Sequence, residues 1–417
     1  MRLINLKAII SLSQNNKPTV HNSFTFVKRI SIHENPNRNY LLRLRTIILL
    51  DALSLGGAEK QALLFAAWLQ NEKKCTVEIW HFMPGDGSAR IVCDRYNLKT
   101  REIGYFRGLA RLLWPKQILE YSKLFKEFKP DVLLGYTNQP DLLLGLIWKY
   151  TGAKYFIWGQ QGIEAGGYKF DKKSDKLALE STPLFVSNSQ NGADFLVKEL
   201  KVPATKVKVI LNGPEKIEPL FSPEHWNEKL GMKCTDFKAL MVAHIALRKD
   251  HDTLLRAWKI VKEQLAPKGI NPVLLLAGIL GNTTQDLINL SIELGIYGNV
   301  RFLGNQKDIA GLNQASDIHI LSSVTEGLPN SLLEAMDWGL PIVGTNIPGI
   351  REAVGEQNSE WLSPPKDAAK LAENIIRLAL DKELRKSVGE QNRLRIKTHF
   401  QLDKMCEEHW EIMQKFC

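Results

Sequence analysis

Two glutamates with seven residues between them, Glu326 and Glu334, frame the run Glu326-Gly-Leu-Pro-Asn-Ser-Leu-Leu-Glu334. Ile318–Leu321, just before it, is a short apolar run that reads as a strand, and glycine and proline mark 325–330 as a loop. A helix should follow. Pro329 suits a first helical position, Leu332, Leu333 and Met336 form an apolar stripe, Gly339 suits the C-terminal cap, and Ile342-Val343 resumes a strand. In such a β-loop-α-β unit the loop leaves the carboxyl end of a parallel strand beside the helix N-terminus. The N–H groups of Asn330, Ser331 and Leu332 there would favour an anion. A carboxylate beside a phosphate is unfavourable unless it accepts hydrogen bonds from hydroxyls or stabilises positive charge. A nucleotide-sugar offers both, in its hydroxyls and in the cationic character an anomeric carbon gains as its bond to phosphate breaks. Two glutamates alone would fit a turn acid and an ordinary helix-surface residue as well.

A sheet must hold this unit in place, and the chain supplies candidate strands for two. Thr46–Leu50, Val77–Trp80, Pro130–Leu134, Tyr155–Trp158, Phe185–Asn188 and Val207–Leu211 fall in the first half. Ala239–Ala243, Pro272–Ala277 and Val300–Leu303 join Ile318–Leu321 in the second. Helix-like segments alternate with them, which predicts an α/β protein with a parallel sheet in each half. After the first strand, Gly56-Gly57 opens a helix. This is either a phosphate cradle or a glycine pair needed for tight strand-to-helix packing. Neither G-x-G-x-x-G nor a P-loop is present. Asp250-His-Asp252 spells a D-x-D tripeptide, but Asp252 at a helix start reads as a cap. Cys406-x-x-His409 lacks a second ligand pair, so no metal site is expected.

At 417 residues and 44% hydrophobic content the chain can build two cores. No apolar run approaches the roughly 20 residues that span a bilayer. Five cysteines without a C-x-x-C pair fit a reducing compartment. Of the net charge of +10, most lies in residues 1–45, with eight basic side chains against one acid. A nucleic-acid partner is therefore not expected of the folded body. Residues 1–44 read as a poorly ordered extension or as a basic arm touching anionic lipid. Between Arg101 and Lys129, seven basic residues against three acids interleave with Leu112, Leu113 and Trp114. This helix fits either an anionic membrane surface or a solvated face with Trp114 in the core.

The pattern E-G-L-P-N-x-x-x-E-A-M followed by G-L-P-I-V-x-T resembles the signature of the retaining glycosyltransferases of family 4, and Ser54-Leu-Gly-Gly-Ala-Glu-Lys60 resembles their first loop. The likeness covers about residues 46–417. It implies two doubly wound, Rossmann-like domains facing across a cleft, the GT-B architecture. The expected division is 1–44 extension, 45–213 acceptor-side domain, 214–397 nucleotide-sugar domain, and 398–417 a helix crossing back onto the first. It also implies transfer of a sugar from a nucleotide donor, with retention and without metal or cofactor.

By the same resemblance Lys249 and the helix starts at Gly57 and Asn330 would stabilise the departing diphosphate. Glu326 would bind sugar hydroxyls and favour the oxocarbenium-like state, Glu334 would take the ribose, and Leu328 and Pro329 would line the site. The family usually places an arginine five residues before that lysine. Here His244 stands there, which either weakens phosphate binding or passes the task to Arg248. Many members carry a histidine where this chain has Gln160 and Gln161, so no catalytic histidine is assigned. The expected donor is a UDP-sugar and the expected acceptor a glycan or lipid-linked glycan of a surface polysaccharide, handled in the cytoplasm or peripherally at the inner membrane face. A catalytically silent nucleotide-sugar-binding protein or membrane scaffold is the competing expectation.

Overall fold

Strands covered on both faces read as unbroken apolar runs, and β1 (Arg45–Ala52) does so, with Thr46–Leu50 fully buried. The computed structural model describes residues 43–104, 114–162, 170 and 172–415. Nearly all of the basic N-terminal extension, the first part of the basic segment after Arg101 and most of the glycine-rich loop after Gln160 lie outside the described residues. In the first sheet β1 is joined by β2 (Thr76–Met83), β3 (Lys99–Glu102), β4 (Val132–Gly135), β5 (Tyr155–Gln160), β6 (Leu184–Ser187) and β7 (Val207–Val209). Its order is β3-β2-β1-β4-β5-β6-β7, all parallel. The second sheet holds β8 (Phe237–Val242), β9 (Pro272–Ala277), β10 (Val300–Gly304), β11 (Ile318–Leu321), β12 (Ile342–Thr345) and β13 (Leu362–Ser363), in the order β10-β9-β8-β11-β12-β13, again parallel. Both orders reverse once, between β1 and β4 and between β8 and β11. Those reversals are the crevices where doubly wound sheets take ligands.

The expected α/β class and both doubly wound halves are therefore present. The helix Leu402–Lys415 leaves the second half and packs Met405, Cys406, Trp410, Ile412 and Met413 into the core of the first, among Ala62, Phe65 and Leu69 of the helix Gly57–Asn71. The His409 ring lies tilted against Phe65 with centroids 4.9 Å apart, and Lys73 pairs with Glu407 at 2.8 Å. The return crosses the first linker closely. A Cβ on Gly213 would lie 2.2 Å from the Leu402 nitrogen, so only glycine fits there.

Three local expectations need correction. Pro329 is the N-cap, in extended conformation, and the helix runs Asn330–Asp337. Its carbonyl accepts from the N–H groups of both Leu332 and Leu333, so Leu332 has no free N–H to offer an anion. Asp252 is not the cap of its helix, which begins at His251. Asp250 caps it, at φ +50°, by accepting from the Thr253 N–H, and Asp252 sits in the first turn bound to Arg256. The basic helix is Trp114–Phe128, with Phe125 buried against Trp80. Its exposed face mixes Lys116, Lys123 and Lys126 with Glu120 and Glu127, while Arg107, Leu112, Leu113 and the Trp114 side chain lie outside the described residues. No described helix is long and apolar enough to cross a membrane.

Candidate functional site

The two crevices face one another and enclose a cleft of about 530 Å³ lined by every site residue expected from the sequence. On the second-domain wall, loops after β8 and β11 are stitched together. The Val324 N–H donates to the Arg248 carbonyl at 2.9 Å, and the Ser322 hydroxyl lies 2.9 and 3.0 Å from the Lys249 and Asp250 carbonyls. The left-handed backbone of Asp250 ends the Leu247–Lys249 turn and sets where the lysine emerges. Lys249 Nζ thereby reaches Glu326 Oε1 at 2.5 Å, and the Ser323 hydroxyl donates to the same oxygen at 2.6 Å. These side chains are 13% and 8% exposed, an ion pair largely removed from water.

Leu328 is buried beneath the loop and Pro329 leads into the helix start. Asn330 and Ser331, the first two helical residues, keep N–H groups without intrahelical acceptors and line the cleft. The Asn330 side chain does something the sequence did not announce. Its Nδ2 donates to the Gly57 carbonyl at 2.9 Å, and its Oδ1 accepts from Gln61 at 3.3 Å and Asn212 at 3.2 Å. It ties the two domains together. A Cβ on Gly57 would come within 2.8 Å of that Nδ2, so the glycine serves the approach of one helix start to the other.

The Gly57 helix start is also less open than a phosphate cradle would be. The Glu59 carboxylate folds back against Gly56, where a Cβ would lie 2.4 Å from its Oε2, and burial, with nearby Asp51, holds its pKa above the ordinary range. The positive end of that helix already has a carboxylate on it.

His244 and Arg248 both line the cleft. Burial, then the charges of Lys249 and Arg248, push the His244 pKa below its usual 6.5, so the imidazole is neutral at neutral pH. Arg248 forms no ion pair with a described residue. Gln161 lines the cleft, with its Oε1 accepting from Asn188 and Asn212 at 3.1 and 3.4 Å. Gln160 instead is buried and meets the Trp158 indole N–H at 3.3 Å.

Lys60 was not foreseen. It lines the first-domain wall, and its ammonium lies 2.7 Å from Glu334 Oε1. Its local signals are its place one turn into the Gly57 helix and at the end of the Ser54–Lys60 run; its partner is 274 residues away. Burial alone would lower its pKa, but the Glu334 carboxylate outweighs that and raises it. Among the described residues no cluster of three His, Cys, Asp or Glu could hold a metal ion. Cys406 and His409 point into the first-domain core, where burial drives the His409 pKa to about 4.

Residues 223–395 match the family model described as glycosyl transferases group 1. The chain is 31% identical over 288 residues to an uncharacterized glycosyltransferase of Haemophilus influenzae, covering 69% of this chain and 77% of that one. It is 27% identical over 291 residues to the UDP-Gal:alpha-D-GlcNAc-diphosphoundecaprenol alpha-1,3-galactosyltransferase of Escherichia coli, covering 67% and 74%. Among solved structures it resembles Anabaena HepE in complex with UDP and glucose, with a TM-score of 0.75 at 18% identity over 89% of this chain and 99% of that one. It also resembles WaaG, a glycosyltransferase involved in lipopolysaccharide biosynthesis, with a TM-score of 0.68 at 17% identity over 88% and 99%. These likenesses are to the fold, two parallel-sheet domains in the GT-B arrangement.

Proposed function

The chain belongs to the glycosyl transferases of group 1, and from that premise we propose that it moves a sugar from a nucleotide-sugar donor, a UDP-sugar, to a glycan or lipid-linked acceptor, with retention at the anomeric carbon and without a metal. The observation that carries this reading is the buried Lys249–Glu326 pair beside the Asn330 helix start, at the β8/β11 reversal. A diphosphate on the Asn330 and Ser331 N–H groups lies next to Lys249 and Arg248, two cations that offset the negative charge growing on the leaving phosphate. Glu326 then faces the anomeric carbon as it turns cationic, held in place by Ser323 and Lys249. Glu334, one turn into the same helix, accepts from the ribose hydroxyls.

The acceptor follows from what supports the reading elsewhere. The Escherichia coli relative is named for UDP-Gal and an undecaprenol-linked acceptor, and a relative in Erwinia amylovora for amylovoran biosynthesis. A lipid-linked acceptor would draw the protein to the inner membrane face.

A donor screen tests this. Purified protein and its Glu326→Gln variant are offered UDP-, GDP- and ADP-sugars, and melting temperature and nucleotide release are followed. One donor should stabilise both proteins while the variant releases nucleotide roughly 10²–10³-fold more slowly, the cost of losing one preorganised electrostatic group. Equal turnover would remove Glu326 from the mechanism. Donors that bind both proteins with release from neither, even with membrane extract as acceptor, would leave a binding protein without catalysis.

A further inference from the structure

We propose that Lys60, contributed by the first domain, is a positioning residue for the donor: it holds one oxygen of Glu334 so that the other is left for the ribose. The ribose site is then assembled from both domains. This rests on Glu334 being the ribose ligand, as read above.

The geometry is specific. Lys60 Nζ meets Glu334 Oε1 at 2.7 Å with the two side chains 14% and 19% exposed, and no described residue donates to Glu334 Oε2. A lysine on an ordinary helix surface surrenders rotamer freedom to make such a contact, and the net gain is small. Here the helix that carries Lys60 is already fixed at two points, one three residues before it and one just after. Gly57 accepts from Asn330, and Gln61 donates to the Gly213 carbonyl at 3.0 Å and to Asn330 Oδ1. The helix starts at Gly57 and Asn330 are thus fastened together on either side of Lys60, and the ammonium arrives at Glu334 in one place.

Charge gives the contact a second consequence. A diphosphate must enter a cleft that contains Glu326 and Glu334. Lys249 pairs with the first carboxylate and Lys60 with the second, which leaves Arg248 as the lysine or arginine of the lining that is in no ion pair with a described residue, while Glu59 stands at the Gly57 helix start. Remove Lys60, and Glu334 both loses its orientation and repels the phosphates at close range.

Calorimetry with UDP on the full-length protein tests the idea, with GDP and ADP as parallel probes and melting temperature measured throughout. Lys60→Met should weaken UDP binding by roughly ten- to hundredfold, the scale of a charge-assisted contact, and Lys60→Arg should recover most of it. Because Lys60 acts through Glu334, the double variant Lys60→Met/Glu334→Gln should bind UDP no more weakly than Glu334→Gln alone. The charge swap Lys60→Glu/Glu334→Lys should restore the melting temperature but not the affinity. Wild-type affinity in Lys60→Met, fully additive losses, or affinity returning with the swap would each overturn the proposal and leave the pair as a bolt between domains. A wild-type protein that binds none of the three nucleotides would sink the donor reading itself, a different result.

Discussion

His244 occupies a position where a permanent charge would help hold a diphosphate, and its surroundings work against that. Burial and the neighbouring Lys249 and Arg248 keep it neutral until the pH falls below its ordinary value, so at neutral pH the phosphates meet two cations on that wall. His244→Arg should therefore tighten nucleoside diphosphate binding at pH 7.5 by roughly tenfold, measured by calorimetry. Unchanged affinity would place the diphosphate elsewhere in the cleft. Residues such as Glu326, Lys249 and Asn330 were legible because each follows a strand in a recognisable loop, so position alone aimed them at the sheet edge. Lys60 and the bridging amide of Asn330 were not legible. Their roles exist only where two chain segments more than 250 residues apart come face to face.

Among the elements, apolar strands declared themselves even when short, as Ile318–Leu321 did, and strands without an apolar run did not. Pro272–Ala277 was read to the residue, whereas β3, with polar, mostly exposed residues, and β13, with two residues, have too little pattern to see. The burial of β11 has a cost of its own. His319 is fully buried with neither ring nitrogen hydrogen-bonded, and burial lowers its pKa to about 3. The unfolded chain takes up a proton at this histidine as the pH drops below 6.5 and the folded chain does not, so stability present above that value is lost as the pH falls toward 3. His319→Leu should raise stability by about 1 kcal/mol near neutrality by removing an unpaired polar group. The advantage should widen at lower pH, as denaturant unfolding at pH 7.5 and pH 5 would show. A gain independent of pH would mean the imidazole is not kept neutral.

At the scale of the whole molecule, two Rossmann-like halves could be counted from strand-helix alternation, whereas the helix that crosses back to join them was implied only by the family resemblance and not by any pattern in its own residues. The helix Leu402–Lys415 supplies five buried apolar side chains to the first domain, worth on the order of 10 kcal/mol as an upper estimate from area burial. That equals the whole stability of a typical domain. A chain ending at residue 401 should accordingly be insoluble or lose the cooperative melting transition of the first domain, as expression and circular dichroism would show. Adding residues 398–415 as a peptide should restore the transition in part. A truncated protein that melts normally would show that the crossing helix is dispensable.

That crossing also sets a timetable for synthesis. The ribosome finishes the first sheet at Val209 but still has roughly 190 residues to add before the helix that closes its core is made, about 10–40 s at common elongation rates. For that interval the newborn domain exposes the apolar surface beside Phe65 and Leu69 that the helix later covers. A nonsense mutation just before codon 402 should thus be nearly as damaging as one in the middle of the gene, through aggregation of a chain whose cleft residues are all present.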